Sequence, residues 1–275
     1  MNIEHQIPQN KMIRILFIGD IVGQLGRKTV ANVLPTLKEE RAIDFVIANG
    51  ENATHGRGLN KRHYEQLIEF GIDVITLGNH YDDQEEIRLF IEDANEIIRP
   101  YNLVEHYPGE GSKIFKTKDG TKLRVSNVLT QAFMKDRIIS PYAAINEIIE
   151  KSEPMIHIVD LHGEATSEKQ AIGWLFAGKV SAVIGTHTHV QTNDARILEN
   201  HTGFMCDVGM CGDNEGIIGV EKESVINKMW FDPKTYYEYR KNGPAIFNGV
   251  ILEIDKKTFA TTRIDTISIN LDVNE

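Results

Sequence analysis

Only two cysteines, Cys206 and Cys211, occur in the 275 residues. They are too few for a disulfide framework and have no CxxC spacing, so they read as buried free thiols. No run approaches the ~18 consecutive apolar residues that a membrane-spanning helix needs. The opening stretch, residues 1–11, lacks the apolar core of a signal peptide and reads as a polar leader, which makes the cytoplasm the expected location. A cationic excess is also missing. The formal net charge is -10, whereas binding to long nucleic acid rests on many Lys and Arg contacts to phosphate. A small phosphorylated ligand stays open, because bound dications would reverse the sign of the field locally. The dinucleotide fingerprint GxGxxG is absent too: Gly19, Gly23 and Gly26 follow a GxxxGxxG spacing, and Asp20 would set a carboxylate against a pyrophosphate. With no internal repeat or low-complexity linker, residues 12–275 read as one domain.

What the chain does contain is a repeated grammar, an apolar strand followed by a short polar burst. Arg14 to Ile18 runs into Gly19-Asp20, Phe45 to Asn49 into Gly50-Glu51-Asn52, and Val74 to Leu77 into Gly78-Asn79-His80. Met155 to Val159 leads through Asp160 to His162, and Ala182 to Ile184 leads into Gly185-Thr186-His187-Thr188-His189. In open α/β sheets, function gathers outside the carboxyl ends of the strands. Five such ends offer oxygen and nitrogen donors suited to metal. On a strand-like backbone His187 and His189, two residues apart, would face the same way. Glu51 and Asn52 are adjacent and would face opposite ways on a strand, so only an irregular loop aims both inward.

Between these ends, apolar spacing predicts helices over 27–41 with Pro35 inside, over 61–70 closed by Gly71, over 82–95, from Pro141 onward, from a Thr166 or Ser167 cap toward Trp174, and over 223–229. Alternation predicts hairpins over 113–129, 196–206 and 246–270. The stretch 130–140 shows no element and is a candidate lid or subunit contact, which leaves a homo-oligomer open. The polar, aromatic stretch 230–244 has no period. His157 reads as a packed strand residue, and Glu164 as a carboxylate that orients His162. The glycine-rich Thr54-His55-Gly56-Arg57-Gly58 loop is suited to approach a phosphate.

The segments GDIVGQLGR, NGENATHGRGL, LGNH, HGEATSEK, GTHTHVQT and DVGM resemble the YmdB branch of the calcineurin-like metallophosphoesterases, a set of cytoplasmic bacterial phosphodiesterases. The resemblance implies an α/β fold of the four-layer α/β/β/α sandwich type. It assigns Asp20, Asn52 and His189 to one metal ion, Asn79, His162 and His187 to a second, and Glu51 as the bridge. Asp20 and Glu51 supply two negative charges, so two dications leave a net positive well for a phosphate anion. Oxygen and nitrogen donors without sulfur suit Fe, Mn, Zn or Co. The wider superfamily has a histidine where this chain has Val22, and Asn52 takes over that coordination in the YmdB-like pattern. Tyr81-Asp82 also departs from the branch's Thr-Trp. The implied reaction is hydrolysis of small phosphodiesters such as 2',3'-cyclic nucleotides, by in-line attack of a hydroxide shared by the two metals, with His80 protonating the leaving oxygen. His55 and Arg57 are the expected substrate contacts. A phosphomonoesterase or nucleotidase using the same metals, or a catalytically weak regulatory protein binding a phosphorylated ligand, are the rival readings.

Overall fold

The computed structural model describes residues 11–274, so the polar leader, apart from Lys11, lies outside the described residues. The first half of the chain contains β1 (Met12–Ile18), β2 (Asp20–Ile21), α1 (Gly23–Glu40), β3 (Phe45–Asn49), α2 (Lys61–Glu69), β4 (Val74–Thr76), β5 (Ile97–Ile98), β6 (Ser112–Lys116) and β7 (Lys122–Leu129). The second half contains α3 (Pro141–Glu150), β8 (Ile156–His162), α4 (Thr166–Leu175), β9 (Ala182–Thr186), β10 (Arg196–Ile197), β11 (Gly203–Met205), β12 (Met210–Asp213), α5 (Lys222–Trp230), β13 (Gly243–Asp255) and β14 (Thr261–Val273). No described helix is long and apolar enough to cross a membrane.

Two mixed sheets result. In the first, β1, β3, β4 and β5 run parallel, and β13 pairs antiparallel with β1, β12 and β14. In the second, the order is β10-β11-β9-β8-β7-β6, parallel from β11 through β7 and antiparallel at both edges. Alternation along the strands decides what each side meets. Leu16, Ile18, Val46 and Ala48 pack with Val30, Leu34 and Leu37 of α1 and Leu67 of α2. Ile15, Phe17, Phe45 and Ile47 face the opposite way and pack with Val125, Ile158 and Ile184 of the second sheet. Val128, Val159, Leu161 and Val183 in turn meet Ala144 and Ile145 of α3 and Ile172 of α4. The apolar order is thus helix, sheet, sheet, helix.

Local chemistry explains several boundaries. Asn60 caps α2 by accepting from the His63 N–H at 2.9 Å, and Gly71 follows with a φ of 94°, the left-handed turn that ends many helices. The predicted helix over 82–95 is instead a single 3-10 turn, Glu85–Leu89, followed by further turns. There Asp82 binds Arg88 at 2.9 Å and Asp83 binds Arg57 and His80, so the residues that would open a helix are held by side-chain partners. At α4 the N-cap is Ala165, with no side-chain cap from Thr166 or Ser167.

Candidate metal centre

The carboxyl ends of β1, β3, β4, β8 and β9 meet where the two sheets face each other; His162 ends β8 itself and Asp20 opens β2, while the donors after β3, β4 and β9 come from constrained turns. After β3 the chain leaves the strand at Gly50. The Glu51 N–H donates to Asn49 Oδ1 at 3.1 Å, and both Glu51 and Asn52 are buried, so an irregular loop does aim both inward. After β4, a side chain at Gly78 would place its Cβ 2.3 Å from His162 Nε2 and 2.5 Å from Glu51 Oε2. Only glycine lets the two sheets' donors close over that point.

The His-Thr-His turn differs from an extended strand end. β9 stops at Thr186, and His187 and His189 have φ values of 102° and 63°, so their rings reach different partners instead of sharing one face. A buried ion pair holds the turn in this shape. Lys169 Nζ donates to the Thr186 carbonyl at 2.7 Å, and Asp207 Oδ2 accepts from the Thr188 N–H at 2.9 Å.

The donors converge closely. His162 Nε2 lies 2.9 Å from Asn79 Oδ1, 3.1 Å from Glu51 Oε1 and 3.1 Å from His187 Nδ1. Glu51, His162 and His187 form a cluster that could hold a metal ion. Beside it, Asp20 Oδ2 accepts from the His187 N–H at 3.2 Å, and Asp20 Oδ1 faces His189 Nε2 at 3.8 Å. Among the described residues, buried Asp20 Oδ1 and Asn52 Oδ1 have no hydrogen-bond partner, while the Asn52 amide nitrogen is fixed on the Gly56 carbonyl at 3.0 Å.

Each of the three imidazoles is turned the same way by an outer partner. Thr186 Oγ1 donates to Asp160 Oδ1 at 2.6 Å and therefore accepts from His162 Nδ1 at 2.9 Å, which turns Nε2 inward. His189 Nδ1 donates to the Ile218 carbonyl at 2.8 Å, and His187 Nε2 faces Glu164 at 3.3 Å. Metal-binding histidines are oriented in this manner. Glu164 thus serves His187, correcting the expectation that it orients His162. The electrostatics ask for a cation. Burial pushes the Asp20 carboxyl up to about 7, against the pull of His189 and His162. Burial opposes charge on His162 and Glu51 as well. Their mutual attraction and hydrogen bond overcome it, raising His162 to about 9 and lowering Glu51 to about 2.

His80 stands at the rim. Its N–H donates to Glu51 Oε2 at 2.8 Å, and its Nδ1 meets Asp83 Oδ2 at 2.8 Å. Arg57 Nε joins the same Asp83 oxygen at 3.0 Å. His55 faces elsewhere, in a hollow shared with Arg27, Arg62 and His63. The centre opens into a cavity of about 450 Å3 whose far wall is Val22, Ile218, Val220, Tyr237 and Tyr239. Sequence reasoning missed Asp83, Asp160, Thr186, Lys169 and the tyrosine wall. For Asp83 a signal existed, a carboxylate three residues after a candidate acid. The stretch 130–140 is irregular, but its Gln131 and Ala132 N–H groups are held by Glu168 at 2.9 and 2.7 Å.

The sequence and the fold have relatives. The sequence family described as YmdB-like protein matches residues 16–267. A 2',3'-cyclic-nucleotide 2'-phosphodiesterase of Bacillus subtilis (strain 168) is 43% identical over 266 residues, covering 94% of this chain and 98% of the relative. A putative phosphatase/phosphodiesterase of Mycoplasma genitalium is 37% identical over 266 residues, 94% of each chain. Among solved structures, a novel phosphatase from Mycoplasma pneumoniae superposes with a TM-score of 0.89 at 36% identity, covering 95% of both chains. A hypothetical protein from Thermus thermophilus superposes at 0.87 with 34% identity, covering 94% of this chain and 99% of that one. The chain belongs to the YmdB-like family.

Proposed function

We propose that this phosphoesterase hydrolyses small phosphodiesters, 2',3'-cyclic nucleotides among them, at a centre that holds two transition-metal ions. The observation that carries the reading is the common inward aim of His162, His187 and His189 toward a pocket where Asp20 and Asn52 present unpartnered oxygens. Asp20, Asn52 and His189 would hold one ion, Asn79, His162 and His187 the other, and Glu51 both. Fe, Mn, Zn or Co suit such donors. Bound there, the metals would supply positive charge to a phosphoryl group and a nucleophile at neutral pH.

The chain's own residues supply the rest. Asp83 Oδ2 takes the Nδ1 side of His80 at 2.8 Å and so orients the ring, whose Nε2 would donate a proton to a leaving alkoxide, a poor leaving group without one. Arg57 shares Asp83 and borders the same cavity, where its guanidinium suits a phosphate oxygen. Tyr239 packs on the backbone at Gly56, where an added Cβ would overlap the ring at 2.0 Å. Its segment is anchored through the Glu238 N–H to Ser224 Oγ at 3.1 Å, and through Arg240 to Asp213 and Glu215. A fixed aromatic wall opposite the metals suits a nucleobase, since stacking tolerates any base. A cytoplasmic place for the enzyme follows from the family resemblance.

The test is turnover after reconstitution with each metal. 2',3'-Cyclic nucleotides and bis(p-nitrophenyl) phosphate should be hydrolysed faster than p-nitrophenyl phosphate. A clear preference for the monoester would favour the phosphatase reading that two relatives' descriptions allow, and no turnover with any metal would overturn the proposal.

A further inference from the structure

A second cavity, of about 380 Å3, opens at the other end of the second sheet. Met155 and His157 border it at the start of β8, and Val180 and Ser181 just before β9. The metal-centre residues His162 and His187 stand at the carboxyl ends of the same strands. His157 and His162 stand five positions apart along β8, about 16 Å at strand rise, so the two hollows are distinct.

Two of the cavity's lining residues, Arg124 and His157, are the ends of a part-buried polar chain that the proposed chemistry does not use. Arg124 Nη1 donates to Ser112 Oγ at 2.9 Å, Ser112 meets Ser126 Oγ at 2.7 Å, and Ser126 meets His157 Nε2 at 2.9 Å. When each hydroxyl passes its proton onward from the guanidinium, Nε2 accepts the last one and the proton of the neutral imidazole sits on Nδ1, facing away from Ser126. His157 is only 5% exposed, and among the described residues its Nδ1 has no hydrogen-bond partner. Burial, with the Arg124 charge, holds the ring down to about 3, so it offers an N–H and not a charge. An apolar filling would cost less desolvation than this chain. Lys179 and His201 add cationic or donor groups at the mouth, against one carboxylate, Glu153, while Ile149, Met155 and Phe259 give apolar wall.

We infer that this cavity is a second ligand site, one that takes a small organic anion bearing a phosphate or carboxylate head on Arg124, His157 and Lys179 and an apolar body against Met155 and Phe259. Nothing in the recognition distinguishes the two heads, both of which suit a guanidinium and a neutral N–H donor.

The experiment uses full-length protein stripped of metal by chelation and dialysis, so that the catalytic pocket holds no cations. Inorganic phosphate and citrate are titrated separately and followed by amide NMR. Saturable shifts should centre on residues 178–181 and 200–201. Arg124→Gln and, at the exposed rim, Lys179→Ala should each weaken binding about tenfold, the loss of one charge-assisted contact. His187→Ala should leave binding unchanged, and Lys179→Ala should leave phosphodiester turnover of the metal-loaded enzyme unchanged. Phosphate binding without citrate binding assigns a phosphorylated ligand, and the reverse a carboxylate. The inference is overturned if neither probe binds, if both variants bind like wild type, or if the shifts centre on residues 187–189 and vanish in His187→Ala.

Discussion

Lys169 Nζ lies 3.1 Å from Asp207 Oδ2, and both side chains are shut off from solvent beneath the turn that carries His187 and His189. The pair spans the start of α4 and the loop after β11, and its bonds to the Thr186 carbonyl and the Thr188 N–H set the turn's backbone. Lys169→Met would leave the Asp207 carboxylate buried and uncompensated, a loss of about 3–5 kcal/mol. Urea denaturation is expected to show that drop, together with weaker metal retention. An unchanged midpoint would mean that the pair does not hold the turn.

His187→Ala removes the inward Nδ1 that meets His162 Nε2 at 3.1 Å. Elemental analysis of the reconstituted variant is expected to find about one metal ion, against the two that the proposed centre would hold in wild type. Full occupancy would remove His187 from the ligand set.

Asp83→Asn keeps the shape of the contact to His80 Nδ1 at 2.8 Å but not its charge. Turnover of 2',3'-cyclic AMP should fall about 10–100-fold, the usual cost of losing an orienting carboxylate, while metal content stays at the wild-type value. Loss of metal in this variant would instead place Asp83 in the scaffold of the centre.

His157 and His63 are held neutral, the first down to about 3 and the second down to about 4, in both cases chiefly by burial. A histidine in the unfolded chain takes up its proton near pH 6.5. Between that value and the folded one, the unfolded state binds more protons, so stability rises with pH there and is lost as pH falls from about 6.5 toward 4. In metal-free protein Asp20, raised to about 7 by burial, acts in the opposite sense over this range, so the imidazole share is read by comparing wild type with His157→Gln, each denatured in urea at pH 7 and pH 5. Stability at pH 7 relative to pH 5 should be lower in the variant than in wild type, and an identical slope would exclude His157 as a source.

Tyr239→Ala should raise KM for 2',3'-cyclic AMP about tenfold, in line with the ~1–3 kcal/mol that one base stacked on an aromatic ring contributes. KM for ribose 2',3'-cyclic phosphate, which has no base, should stay put. Equal effects on both would make the residue a structural prop for the Gly56 turn.

Much of the centre is legible in the chain because buried strands announce themselves as apolar runs, and Asp20, Glu51, Asn79, His162 and His187 each follow one. What is not legible depends on contacts remote in sequence. The spacing of Ile87, Phe90 and Ile91 fits a helix, yet Asp82 and Asp83 are taken by Arg88, Arg57 and His80, and the segment settles into turns. Period alone cannot foresee that His187 and His189 leave the extended conformation, since Lys169 and Asp207, each 18 residues from the nearer histidine, impose it from outside the turn. Glu164 lies two residues from His162 in sequence, but the turn of the chain brings it to His187. Thr186 and Asp160 take the outward face of the His162 ring.

Gly78 admits His162 from one sheet against Glu51 from the other, so the centre works as a gauge of how the two sheets sit. A slip of an ångström between them would separate carboxylate from imidazole before it disturbed either set of backbone ladders. Inactivation by heat or denaturant should accordingly begin with the sheets parting, and catalysis should fade while the secondary structure seen by circular dichroism is still intact.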